Sequence, residues 1–439
     1  MKWSKYIYKV CNGNDYIMLN TLNTAIVNIN KETYDRIDSL LLSEKQNEDS
    51  DFIALVEMHF IVEEIVDETK EFLTAVRKTW DDNEDLKIVL LGTTGCNFGC
   101  SYCYENGINR SLNLNYLVSE QLCEYLAKVL KTNDKIKRVF VLLFGGEPTL
   151  RWEQLMYACE KISDVCKNMK VSFETGITTN GYLLTEDRIR DLRKYNCTSI
   201  QITLDGPEEI HDRRRMLKNG APSFRQIIYN MKRVFELECV PSIDLRVNVD
   251  KANYKSVERL LEFLSTIFLP QQLNISLGVV SETINECNKC IQFQSASFSQ
   301  DEAARTICEL LPLIEKYKFR IPSYYSFDGI CIAKTKNSFV VNPDGKVFYC
   351  LSMVGRENLS VGSLGELLKS DIINRTFDET AYAKCVERNC VFLPFCHTGC
   401  IFDGVVENND INNHSCKYHQ YKKVNEFLLK YQLERKRQV

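Results

Sequence analysis

Apolar and polar positions alternate along this chain in two rhythms. From residue 87, short apolar runs recur, and each is followed by a stretch in which apolar residues return every three or four positions. The runs are KIVLLG (87–92), VFVLLFGG (139–146), VSFETGIT (171–178), SIQITLDG (199–206), IDLRVNV (243–249) and NISLGVV (274–280). Between them lie SEQLCEYLAKVLK, WEQLMYACEKISDVCK, TEDRIRDLRKY, SFRQIIYNMKRVFE and YKSVERLLEFLSTI, all with helical period. Apolar strands alternating with amphipathic helices predict βα units around a parallel sheet. Six such strands predict an α/β fold, a partial (β/α)6 TIM-like barrel or a full one, over 85–285. In such barrels the chemistry gathers at the C-terminal strand ends.

The flanks read differently. KYIYKV, YIMLN and AIVNI predict short strands, and NKETYDRIDSLL and IALVEMHF predict helices, giving a small α+β module over 1–75. After residue 320, SFVVNPDGKVFY predicts a hairpin turning at NPDG. The remainder of 320–420 is loop-rich and dense in cysteine. A last amphipathic helix, 421–439, ends in a basic tail that the helix macrodipole accommodates.

Charge narrows the function classes. Lys+Arg 55 against Asp+Glu 59 gives a net charge of −4 over 439 residues, with no basic footprint for nucleic acid. No apolar run reaches the length of a membrane span, and the start, MKWSKYIYKV, lacks a signal-peptide core. The expectation is a cytoplasmic protein. The acidic bias of 44–71 reads first as a solvated helical face.

Cysteine is the anomaly. There are 19, and a reducing cytoplasm favours metal binding over structural disulfides. Cys96, Cys100 and Cys103 form a C-x3-C-x2-C array directly after the first barrel strand. Cys331, Cys350, Cys385, Cys390, Cys396, Cys400 and Cys416 form a second group. The other nine sit mostly as single small hydrophobes in apolar segments. Zinc prefers four closed ligands, whereas three thiolates suit a [4Fe–4S] cluster with one open iron. Gly95 and Gly99 are expected to let the backbone wrap closely around it.

C-x3-C-x2-C with Tyr102 before the last cysteine resembles the radical S-adenosylmethionine (radical SAM) superfamily. Further landmarks follow in order at strand ends: GGEP (Gly145, Gly146, Glu147, Pro148), TTNG (178–181), TLDGPEEIHDRRR (203–215) and RVN (246–248). The second-last of these resembles the family's S-x-D-G-P…H-D-x-x-R, with Thr203 in place of Ser. The resemblance covers about residues 87–280. It implies a [4Fe–4S] cluster on Cys96, Cys100 and Cys103, with S-adenosylmethionine held by Gly145, Gly146, Glu147, Pro148, Asn180, Thr203, Asp205, Arg246 and Asn248. Taken singly, GGEP and Asn180-Gly181 also read as plain turns, His211 as a solvated loop residue and Arg213–Arg215 as a charged surface.

The second cysteine group runs C-x13-G-x4-C, then C-x4-C-x5-C-x3-C, then C. It resembles the SPASM extension of radical SAM enzymes, apart from C-x4-C where C-x2-C is usual at Cys385 and Cys390. That resemblance implies two auxiliary [4Fe–4S] clusters, three clusters in all. One takes Cys331, Cys350 and Cys400, the other Cys385, Cys390, Cys396 and Cys416. The first set lacks a fourth ligand, so either Cys287, Cys290 or Cys308 closes it or an iron stays open to a substrate thiolate. The alternative for the group is zinc knuckles.

SPASM enzymes typically modify peptides, and the 1–75 module resembles a leader-peptide recognition element. The implied partners are a ribosomal precursor peptide with a Cys-containing core and a reductant such as flavodoxin or ferredoxin. The implied activity is thioether (S–C) cross-linking, as in sactipeptide and ranthipeptide maturases. Carbon–carbon cross-linking and sulfatase-type maturation are the enzymatic alternatives, and an Fe–S electron carrier or sensor is the non-enzymatic one. Sulfatase maturases carry Asp after the cysteine at the Cys350 position, where this chain has Leu351.

Overall fold

A computed structural model of the chain describes residues 1–43, 46–103, 105, 111–280, 296–320, 331–369, 377–410 and 414–438. It divides into two compact units. One comprises 82–322 with 331–376, the other 1–81 with 323–330 and 377–439. The 320–420 stretch is thus shared between the units.

The second unit, 1–81 with the C-terminal segment, starts with a short pair, β1 (Lys2–Trp3) and β5 (Ile61–Val62). Between them β2 (Ile7–Asn12), β3 (Asp15–Asn20) and β4 (Ile26–Asn30) form an antiparallel sheet in that order. Alternation sorts its side chains. Met18 faces a core with Ile37, Phe52 and Phe60. Tyr8, Val10, Ile17 and Leu19 face Phe392, Phe395 and Leu429. The cysteine-bearing C-terminal segment therefore packs on the N-terminal sheet. The helix Tyr418–Gln438 matches the basic-tailed helix read from the sequence.

The barrel unit carries a nine-stranded sheet ordered β11-β10-β9-β8-β7-β6-β12-β13-β14. Its strands are β6 (Asp85–Thr93), β7 (Arg138–Gly145), β8 (Ser172–Thr179), β9 (Cys197–Thr203), β10 (Ile243–Val249) and β11 (Leu273–Val279), all parallel. Intervening helices include Tyr116–Thr132, Trp152–Met169, Phe224–Glu236 and Val257–Ile267. This is the predicted partial TIM-like βα architecture. On β10 the residues Ile243, Leu245, Val247 and Val249 are buried, while Asp244, Arg246 and Asn248 share the more open face.

The predicted hairpin exists as β12 (Ser338–Val341) and β13 (Lys346–Phe348), followed by β14 (Gly362–Ser363). It also extends the barrel sheet, because β12 runs parallel to β6 with Ser338 opposite Lys87. Phe348 lies opposite Val340, so β13 descends towards the ends where the strands start. Cys350, two residues beyond Phe348, therefore lies towards the end of the sheet opposite Cys96. Lys87 and Thr93 mark the two levels, about 20 Å apart at about 3.3 Å per residue. Among the described residues, no helix is long and apolar enough to cross a membrane.

Candidate active site

The site begins where β6 ends. Its register with β7 shifts between Leu91 and Thr93, an irregularity that re-aims the chain into the cysteine loop. The loop's two ends are zipped together. Thr94 N–H donates to Leu112 O at 3.0 Å, and Leu112 N–H donates to Thr94 Oγ1 at 3.2 Å. The cysteine side is pinned by a second bridge, with Gly99 N–H on Met216 O and Lys218 N–H on Asn97 O, both 2.9 Å.

Gly145 and Gly146 close this frame. Gly146 N–H donates to Thr93 O at 2.9 Å and Glu147 N–H to Gly95 O at 2.8 Å. Gly145 has φ +138°, and a Cβ there would run into the Thr93 carbonyl oxygen; one on Gly146 would run into that of Gly95. At Gly99, where close wrapping was expected, a Cβ meets only open space. The steric demand for glycine falls on the GGEP turn.

Glu147 is fully buried, and its carboxylate is a junction. Oε1 accepts from Thr149 N–H (3.1 Å), Thr149 Oγ1 (2.6 Å) and Thr179 Oγ1 (2.7 Å), and Oε2 accepts from Asn180 N–H (2.8 Å). It thereby ties the turn after β7 to the end of β8 and sets Asn180. The Asn180 Nδ2 lies 2.7 Å from Asn97 Oδ1 and 3.9 Å from Cys96 Sγ. Replacing Glu147 with Gln turns one acceptor oxygen into a donor facing donors. Glu147→Gln is expected to cost about 2–3 kcal/mol, read as a lower apo Tm, and to reduce the iron retained per chain.

Phe98 N–H points at Cys96 Sγ at 3.3 Å. Burial, then the Glu147 carboxylate, push the Cys96 thiol up to about 12. As a ligand it must shed that proton, so metal uptake and deprotonation are coupled. Among the described residues, no three Cys, His, Asp or Glu side chains close on one point as a single-ion site.

The other wall comes from the turns after β9 and β10. Arg215 Nη1 donates to the Tyr102 hydroxyl at 2.6 Å, and Asn248 Nδ2 lies 3.3 Å from the same oxygen. The Arg214 guanidinium stands 5.0 Å over the Tyr102 ring and reaches Asp205 Oδ2 (3.4 Å) and Asp250 Oδ2 (2.8 Å). On β10, Arg246 Nε donates to Asn248 Oδ1 at 2.9 Å, in space left by the missing side chain of Gly278. Thr203 is buried at the end of β9.

Two readings from the sequence need correction. His211 is fully buried, and burial with the nearby Arg215 and Arg214 holds its pKa well below the ordinary value. Of the three arginines, only Arg213 is exposed; Arg214 and Arg215 turn inward. The sequence reading missed Thr93, Thr179, Asp250, Asn253 and Ser223. A polar residue at the end of an otherwise apolar strand was the available signal for the two threonines.

These residues suit the implied cofactors. Three thiols share one loop, with a backbone N–H on one sulfur. Around them Asn97 Nδ2, Asp205 Oδ1 and Arg215 Nε are buried without a hydrogen-bond partner in the protein. A zwitterionic cosubstrate offers both donors and acceptors for such atoms.

The C-terminal cysteines of the other unit are also placed. Cys385 and Cys390 pack beside Tyr6, Phe72, Tyr382 and Leu393. Cys400 and Ser415 form an antiparallel bridge, which brings Cys416 alongside. Close approach there requires Gly399, whose Cβ would run into Ser415 O. Cys308 lies in the helix Gln300–Lys316, which packs outside the barrel on β11 and the helix Val257–Ile267. Cys287 and Cys290 lie outside the described residues.

A partial βα barrel with a three-thiol loop at its mouth defines a class of cluster-dependent, cosubstrate-cleaving enzymes. The radical SAM superfamily matches residues 90–264. Those residues are a radical SAM domain, which implies a [4Fe–4S] cluster and S-adenosylmethionine, and the protein is a radical SAM enzyme. A cysteine-type anaerobic sulfatase-maturating enzyme of Clostridium novyi is 24% identical over 332 residues, 70% of this chain and 85% of that protein. The radical SAM cyclopropyl synthase TigE of Paramaledivibacter caminithermalis is 27% identical over 165 residues, covering 35% of this chain and 33% of that one. Among solved structures, native anSMEcpe with bound AdoMet and the Kp18Cys peptide superposes with a TM-score of 0.59 at 16% identity, covering 80% of this chain and 100% of that chain. That likeness concerns the fold.

Proposed function

We propose that the protein is a peptide maturase acting on a ribosomal precursor peptide, and that it joins a cysteine sulfur to a peptide carbon. The observation that carries the radical chemistry is the mouth of the barrel: a thiol loop locked by the GGEP turn, beside buried polar atoms without partners; the peptide substrate is supported by the likeness to a sulfatase-maturating enzyme over 70% of this chain. When bound at Cys96, Cys100 and Cys103, the cluster supplies the electron that splits S-adenosylmethionine into methionine and a 5′-deoxyadenosyl radical. Gly145, Gly146, Glu147 and Pro148 hold the loop, while Asn180, Thr203, Asp205, Arg246 and Asn248 face the cosubstrate. The leader is expected to add a strand to an edge of the small sheet, where, among the described residues, β4 pairs with β3 alone.

Cys385, Cys390, Cys396 and Cys416 are assigned to an auxiliary cluster, and a further one rests on cysteine spacing alone. We assign the enzyme to the cytoplasm, with flavodoxin or ferredoxin as reductant.

A second reading, oxidation of a peptide cysteine to formylglycine, is favoured by the 24% identity to the Clostridium novyi enzyme over 70% of this chain. Against it, Leu351 offers no proton acceptor after Cys350. Anaerobic turnover with dithionite and a Cys-containing precursor separates the readings by mass. Loss of two hydrogens with sulfur retained marks the thioether: one hydrogen leaves on 5′-deoxyadenosine, and the thiol proton and one electron leave separately. Loss of sulfur with gain of oxygen marks formylglycine. No 5′-deoxyadenosine from the reconstituted, reduced protein overturns both.

A further inference from the structure

We propose that His211 and Ser223 are positioning residues for the cysteine loop. They form a one-way hydrogen-bond latch that sets Arg215, and through Arg215 the hydroxyl of Tyr102. The inference rests on the radical SAM reading of the loop.

The direction of the latch follows from its donors. Asp205 N–H donates to His211 Nδ1 at 3.3 Å, so that nitrogen carries no proton. The neutral ring then bears its proton on Nε2, 3.0 Å from Ser223 Oγ. The Ser223 hydroxyl spends its own hydrogen on Arg215 O at 2.7 Å. That carbonyl ends the short helix Glu208–Arg214, where no intrahelical donor remains for it. Arg215 N–H in turn donates to His211 O at 2.7 Å. Both backbone polar groups of Arg215 are thus held by His211 and Ser223, which are 0% and 1% exposed.

Ser223 is itself fixed from outside the latch. Asp212 Oδ1 accepts from Ser223 N–H and Phe224 N–H, each at 2.8 Å, capping the following helix. With its backbone immobilised at both ends, Arg215 projects its guanidinium across Phe98, 5.7 Å from that ring, to the Tyr102 hydroxyl. Tyr102 lies between the second and third cysteines of the loop. The latch therefore joins the TLDG turn after β9 to the loop after β6 without either residue touching a cysteine. The sequence order H-D-x-x-R followed eight residues later by Ser is the linear trace of this device.

A double-mutant cycle tests it on the anaerobically reconstituted full chain. The readouts are S-adenosylmethionine binding, the electron paramagnetic resonance spectrum of the reduced cluster, and iron per chain. Ser223→Ala frees the Arg215 carbonyl and is expected to weaken cosubstrate binding about tenfold and alter the spectrum, with iron content retained. Tyr102→Phe is expected to do the same, and the double variant no more than either single one. Ser223→Thr, which keeps the hydroxyl, should restore affinity and spectrum. Additive losses, or Ser223→Ala with unaltered binding and spectrum, overturn the proposal. A Ser223→Ala protein that fails to fold while Ser223→Thr folds normally assigns the hydroxyl to stability alone and also overturns it. Wild-type cosubstrate binding, measured alongside, separates failure of the latch from failure of the radical SAM reading.

Discussion

Gly145→Ala is expected to disable the protein from a position that carries no reactive group. Two independent penalties coincide there. The backbone sits at φ +138°, a region that residues with a Cβ avoid, and the added carbon would collide with the Thr93 carbonyl oxygen. That oxygen cannot retreat, because it already accepts Gly146 N–H at 2.9 Å. The strain alone is worth about 1–3 kcal/mol and the overlap adds a similar amount. Since Thr93 leads directly into Cys96, the chain will relieve the overlap by moving the cysteine loop. The expected result is a lowered apo Tm together with loss of most iron from the cluster on Cys96, Cys100 and Cys103 and of 5′-deoxyadenosine formation. Gly99→Ala, where a Cβ meets open space, should leave the apo Tm within about 1 °C, since it adds no such strain. Equal effects at the two glycines would refute the steric account.

The contrast between these glycines marks what the sequence could and could not disclose. IDLRVNV was legible to the residue as β10, because apolar and polar residues alternate along it with the period of a strand buried on one face. The hairpin at NPDG was legible because its turn chemistry is local. Its parallel pairing with β6 was not, since a ladder between residues some 250 positions apart leaves no local trace. His211 looked solvated for the same reason: Glu208, Glu209, Asp212 and Arg213 around it are polar, and only tertiary packing turns the imidazole inward. The cysteine spacings indicated clusters but not their surroundings. Tyr8 and Val10 give no sign along the chain that they meet Phe392 and Phe395. At the active site, residue types were readable from motifs, whereas the junctions at Glu147 and Ser223 depend on distances that only the fold supplies.

Arg214→Met should be the most damaging change among the charged residues. Asp205 and Asp250 are both fully buried, and both carboxylates turn to the same guanidinium, at 3.4 and 2.8 Å. Methionine fills similar volume but leaves Asp250 without its guanidinium and Asp205 with only the more distant Arg215 charge. Breaking a buried pair from one side costs about 3–5 kcal/mol, and here two carboxylates lose one partner. The surrounding hydrogen bonds do not compensate. Asp250 Oδ1 serves Ala252 N–H, and Asn253 Nδ2 binds the carbonyls of Asp205 and Asn248, which fixes backbone rather than charge. Thermal melts of apo wild type and of two variants separate charge from packing. Arg214→Lys, which restores charge without the two-pronged reach, should recover part of the loss seen with Arg214→Met. Equal losses in the two variants would mean that Arg214 acts through packing against Tyr102, 5.0 Å from its guanidinium, and not through the two acids.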